Sequence, residues 1–113
     1  MTPDQFRKLA LALPEAVESE HMQHPDFRVR KKVFATLGPD GDWGMVKLTP
    51  AQQADRLKRE PKGFEPVPGA WGERGCTRVL LASVKPASVK RALVEAWFNT
   101  APKGLAADFE DEL

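Results

Sequence analysis

The feature that most constrains this chain is a change of hydrophobic period along its length. Near the start, Phe6, Leu9, Ala10 and Leu13 recur at spacings of three and four, and toward the end Val89, Ala92, Leu93, Ala96 and Trp97 do the same. Such spacing puts apolar side chains on one face of a helix. Between them, residues 17–48 follow the two-residue period of strands. Phe27 and Val29 alternate with Arg28 and Arg30, Val33, Ala35 and Leu37 alternate with Phe34 and Thr36, and residues 43–48 form a further strand after the turn cluster Gly38-Pro39-Asp40-Gly41-Asp42. A sequence that changes period in this way is expected to be α+β, with helices packed on one face of an antiparallel sheet.

The punctuation agrees with the periods. Thr2-Pro3-Asp4-Gln5 and Thr49-Pro50-Ala51-Gln52 each place a capping threonine before a proline, with glutamine at the third helical position. The hydroxyl can accept from the backbone while the amide reaches back, so both are helix starts. The first helix is expected over residues 3–13 before Pro14, and the second as a short polar helix ending before Pro61. Residues 77–83 read as another strand, and Pro86 opens the helix with the longest apolar stripe. Residues 62–76, with four glycines and two prolines around Phe64, Val67 and Trp71, read as a long irregular connection with a short strand at 64–67.

At 113 residues there is room for one core, and the charged fraction of 29% is ordinary for a globular chain. Neither a membrane span nor a secretory leader is visible, and Cys76 is the single cysteine, so the expected location is cytoplasmic. The charge is unevenly placed. Residues 108–113 hold four acids, which leaves 17 bases against 12 acids, a net +5, on residues 1–107. We therefore expect one domain over 1–107 followed by an acidic C-terminal tail, and a body able to attract an anionic partner.

Several stretches taken together resemble a known family. Ala12-Leu13-Pro14-Glu15, Phe27-Arg28-Val29-Arg30 followed by Lys32-Val33-Phe34-Ala35, Trp71-Gly72 with Gly75 and Thr77, and Ala96-Trp97 with Ala101-Pro102-Lys103 occur in the order found in the MmcQ/YjbR-like family. The resemblance spans the chain to about Leu105. It implies an α+β fold similar to that of CyaY, described as a double wing, and a DNA-binding role assigned to such domains by analogy of fold. The sequence departs from the family pattern at Lys31, where a glycine or asparagine usually gives the hairpin its positive φ. A lysine there is expected to strain the turn or lengthen the loop.

Four candidate sites emerge. Arg28, Arg30, Lys31 and Lys32 put four cations in five residues on a hairpin, suited to neutralising phosphates without reading sequence, and equally suited to protecting a solvated sheet edge. Nucleic acid is the expected partner through these residues, with Trp71 as a candidate to stack on a base. The alternative is a small-ligand or protein-interaction site in the 62–76 loop, where Trp71 either stacks on a ligand or base or covers the core. His21 and His24 are too few for zinc and, at strand spacing, lie on opposite faces, so no metal site is expected. No nucleophile, base and carboxylate can be teamed, and Cys76 reads as a small buried hydrophobe, so the expectation is a non-enzyme without a cofactor.

Overall fold

In a computed structural model, which describes residues 1–112 apart from the side chains of His21, Asp111 and Glu112, the two periods become separate layers. Helix α1 (Pro3–Leu11) is followed by four strands, β1 (Val17–His21), β2 (His24–Val29), β3 (Lys32–Leu37) and β4 (Trp43–Lys47). Next come α2 (Pro50–Arg59), β5 (Phe64–Pro66), α3 (Ala70–Glu73), β6 (Cys76–Leu80), α4 (Pro86–Thr100) and α5 (Lys103–Glu112). The strands form one antiparallel sheet in the order β1-β2-β3-β4-β6-β5. The expected fold class is the observed one.

Both threonine caps form as the sequence requires. Thr2 and Thr49 accept from the backbone N–H of Gln5 and Gln52, whose side chains accept in return from the two cap N–H groups. Phe6, Ala10 and Leu13 are buried, although α1 ends at Leu11, two residues earlier than its apolar spacing suggests. In α4 the buried residues are Val89, Ala92, Leu93, Ala96 and Trp97, the stripe read from the sequence. Trp97 is fully buried, and its indole N–H donates to the Pro14 carbonyl at 3.0 Å. That hydrogen bond satisfies the ring's one polar atom, so it carries no unpaired donor into the core.

The strand alternation departs from expectation in β3. Phe27 pairs with Ala35 and Arg28 with Val33, so Phe34 has no partner across β2 and the ladder carries a bulge. The extra residue shifts the phase of the strand. Phe34 and Ala35 are consequently both in the core, and Val33 joins Thr36 on the opposite side of the sheet. Strand β6 is also shorter than expected, starting at Cys76 and ending at Leu80 in a turn, with Leu81 buried beyond it.

Lys31 does not lengthen its loop. Val29 and Lys32 are paired, leaving a two-residue turn in which Arg30 and Lys31 have φ of 50° and 71°. The same geometry recurs between β1 and β2, where Met22 and Gln23 have φ of 48° and 67° between the paired His21 and His24. Positive φ at both central residues matches the right-handed twist of a tight hairpin, so sheet pairing outweighs the cost of holding two non-glycine residues there.

Two further differences concern segments of weak periodicity. The 62–76 connection contains the expected short strand as β5, and in addition the helical turn α3 in place of an irregular loop. At the C-terminus, α5 continues to Glu112 and seats Phe109 against Trp97 and Phe98, with ring centroids 5.0 and 5.5 Å away. Leu105, Ala106 and Phe109 of α5 therefore pack against the body, and the acidic residues from Asp108 lie around Phe109 on the last turns of the same helix.

Candidate functional site

Helices α1 and α4 cover one face of the sheet. Successive residues of a strand point to opposite faces, so the residues not covered define a second surface. On β4, Val46 points into the core while Trp43, Met45 and Lys47 point out. On β2 the outward residues are His24, Asp26 and Arg28, and on β6 they are Cys76 and Arg78. The bulge adds Val33 beside Thr36 on β3. Together with Met22 at the β1–β2 turn and Val67 and Trp71 beyond β5, they enclose a concavity of about 510 Å³. That volume lies within the roughly 300–1,000 Å³ range of small-molecule sites.

The concavity is apolar between charged groups. Met22 and Trp71, 79% and 60% exposed, stand on its rim and are large hydrophobic side chains that the helices do not cover. Arg28 donates through Nε and Nη2 to the two oxygens of the buried Asp26, at 2.9 and 3.0 Å, and this bidentate contact raises the guanidinium's affinity for its proton. Arg78 lies with its guanidinium carbon 4.5 Å from the Trp43 ring centroid and its Nη1 3.6 Å from Glu65 Oε1, and its Nε is buried without a hydrogen-bond partner among the described residues. Burial raises the pKa of the Cys76 thiol, against the opposing influence of Lys47 and Arg74, so its ordinary form is the neutral thiol.

Trp71 owes its place to a small set of residues behind it. The turn of α3 brings Gly72 so close to the chain that a Cβ there would lie 1.8 Å from the Val67 carbonyl oxygen. Gly75 has φ of 111°, and a Cβ on it would lie 2.1 Å from the Leu48 carbonyl oxygen. Both positions need glycine, on steric grounds at the first and on conformational grounds as well at the second. The amide of Gln53 on α2 then donates to the Gly72 carbonyl at 3.0 Å and to that of Cys76 at 3.1 Å. Arg74 completes the arrangement 5.6 Å from the Trp71 ring centroid.

The basic hairpin is less uniformly cationic than its sequence. Arg28 is on the open face with Asp26, whereas Arg30 turns away and donates to both Glu15 oxygens at 2.5 and 2.9 Å. This pairing lowers the Glu15 pKa. Lys31 and Lys32 are exposed and make no ion pair among the described residues. The structure thus brings Arg28 and Trp71 to one surface and separates them from Arg30, Lys31 and Lys32. His24 lines the concavity as well, and the side chain of His21 lies outside the described residues. Among the described residues, no three His, Cys, Asp or Glu side chains converge as a metal site would need.

Sequence reasoning missed the outward residues of β4 and β6, because Trp43, Met45 and Arg78 read as ordinary members of half-buried strands. It also missed Gln53 and Arg56. The second helix reads as mostly solvated, yet Arg56 is buried, 2.8 Å from Asp55 and 4.0 Å from Glu95, whose carboxyl pKa burial pushes up against the attraction of Arg56 and Arg91. An arginine on a polar face carries no periodic signal for burial, so only the packing of α2 could reveal it.

Comparison with known proteins fits this architecture. The chain is similar in structure to the Deinococcus radiodurans protein DR2400, described as a DUF419 domain, with a TM-score of 0.76 and 18% identity over 98% of this chain and 86% of that one. At such identity the likeness shows the fold. No curated protein matches the chain. No helix among the described residues is long and apolar enough to cross a membrane. The YjbR family model matches residues 11–99, which run from the end of α1 through nearly all of α4 and include the open face and the elements that support it, and the chain therefore belongs to the YjbR family.

Proposed function

We propose that this domain is a non-catalytic binding module that takes a small amphipathic ligand on the open face of its sheet. The observation that carries the reading is the shared concavity of about 510 Å³, in which an apolar floor lies between Arg28 and Arg78 and is flanked by the exposed Trp71. Sites of this kind combine apolar lining with a few polar groups that orient the ligand. The absence of a team of nucleophile and base from the reading of the sequence supports binding over catalysis. Titration of the ¹⁵N-labelled domain with aromatic fragments should shift the amides of Val33, Met45 and Trp71, and Trp71→Ala should weaken binding at least tenfold while leaving the melting temperature nearly unchanged, as expected for an exposed side chain. Shifts confined to the helices, or binding unaffected by Trp71→Ala, would overturn it.

Weak nucleic-acid binding is the second reading, and Lys31 and Lys32 at the hairpin tip, exposed and without an ion pair among the described residues, favour it. Asp26 and Glu15 already partner two of the four hairpin cations, so contact with phosphate would fall chiefly on these lysines. It predicts dissociation constants of roughly 10⁻⁴ to 10⁻⁶ M for duplex DNA with little sequence preference. Neutralising Lys31 and Lys32 together should then flatten the salt dependence, because fewer counterions are released. Small-ligand binding on the open face would not respond to that change.

A further inference from the structure

The open-face reading leaves the chemistry of the ligand unspecified, and the charges around the concavity narrow it. Three cations line it, Arg28, Lys47 and Arg78, against one acid among the described residues, Asp26. Their circumstances differ. Asp26 engages Arg28 through both carboxylate oxygens, and Arg78 is held over Trp43 with Glu65 nearby. Lys47 is half-buried on the same surface and makes no ion pair among the described residues. Its backbone position is fixed on both sides, by register with Cys76 on β6 and by the Asn99 amide, which donates to its carbonyl at 3.0 Å.

Resting on that reading, we propose that Lys47 makes the open face selective for a ligand that joins a planar apolar ring to one anionic group. Lys47 and Trp71 stand at the same end of the sheet, because Val67, four residues before Trp71, donates its backbone N–H to the carbonyl of Cys76, the residue paired with Lys47. A ring lying against Trp71 and Met45 gains apolar burial and aromatic or thioether contact. The same ring shields Lys47 from water. An ammonium losing water without a partner is penalised, whereas an anionic substituent on the ring supplies a charge-assisted hydrogen bond. A cationic substituent would add like-charge repulsion. The unfilled Nε of Arg78 adds to the positive potential of the same wall.

A carboxylate and a phosphate both meet this description, and two matched pairs of probes distinguish them: naphthalene-2-carboxylate against 2-naphthalenemethanol, and adenosine 5′-monophosphate against adenosine. Dissociation constants would be measured on the full chain by calorimetry or tryptophan fluorescence. In at least one pair the anion should bind about tenfold or more tightly than its neutral partner, the scale of a hydrogen bond to a charged group. Whichever pair shows the ratio identifies carboxylate or phosphate. Lys47→Met, with Lys47→Gln as a second variant in case the first disturbs folding, should bring the ratio to about one, with the neutral ring bound at least as tightly as before because it no longer shields an unpaired ammonium from water. Equal binding of anion and neutral ring in both pairs, or a ratio that survives in a folded Lys47 variant, would overturn the role of Lys47 while Trp71-dependent ring binding still upheld the open-face reading. No Trp71-dependent binding of any probe would overturn both.

Discussion

The two faces of the sheet are built from neighbouring residues of the same strands, yet they have opposite fates. On β4, Val46 is fully buried beneath the helices, while Met45 and Lys47 on either side of it line the open concavity. The covered face is closed by aromatic and aliphatic side chains, among them Phe6, Phe27 and Trp97, and has its buried indole N–H satisfied. The open face holds comparably large apolar groups, but they alternate with arginine, lysine and aspartate and lie on the side of the sheet away from α1 and α4. Stability is therefore expected to reside on one face and recognition on the other, since exposed apolar groups rimmed by charge contribute little to folding and are available to a ligand.

The comparison is easiest to break at Trp97. Trp97→Ala should cost about 3–5 kcal/mol in denaturant unfolding, because it removes a fully buried ring and leaves the Pro14 carbonyl without its donor. A loss below about 1 kcal/mol, the scale of surface substitutions, would show that the covered face is not the seat of stability.

A sharper test uses adjacent residues. Val46→Ala should destabilise by about 2 kcal/mol through the lost methyl groups and the cavity left behind, whereas Met45→Ala should stay under about 1 kcal/mol despite removing a larger side chain. If the two costs were equal or reversed, the division of the faces would fail. The smallest effect is electrostatic and lies outside both faces. Hydrogen bonds from Arg59 and Arg56 lower the Asp55 pKa from 3.8 to about 2, so the folded state favours the ionised carboxylate. That contribution is present above pH 4 and is lost as pH falls through about 2. Asp55→Asn should therefore lower the melting temperature slightly at neutral pH, with the difference from the unsubstituted protein vanishing near pH 2 and shrinking in high salt.

What the sequence determined by itself was whatever depends on near neighbours. The two threonine caps, the stripe of α4 and the alternation of β4 each follow from residues within a few positions of one another, and local sterics and hydrogen bonding suffice to set them. The candidate surface was legible in fragments. Arg28 and Trp71 could be singled out, but they are 43 positions apart and nothing local placed them on one surface. Tertiary structure decided that they share one concavity, because the register of the strands sets which residues lie side by side, and no local pattern encodes register between distant segments. It also decided that Val33 faces outward, since a bulge shifts the phase of β3, and that Glu15 folds back onto Arg30 and Asp26 onto Arg28, which divides a run of charge that is continuous in sequence. The fate of Arg56 was settled in the same way. Burial of a long polar side chain depends on what the rest of the fold places above it, and that information is distributed over the whole chain.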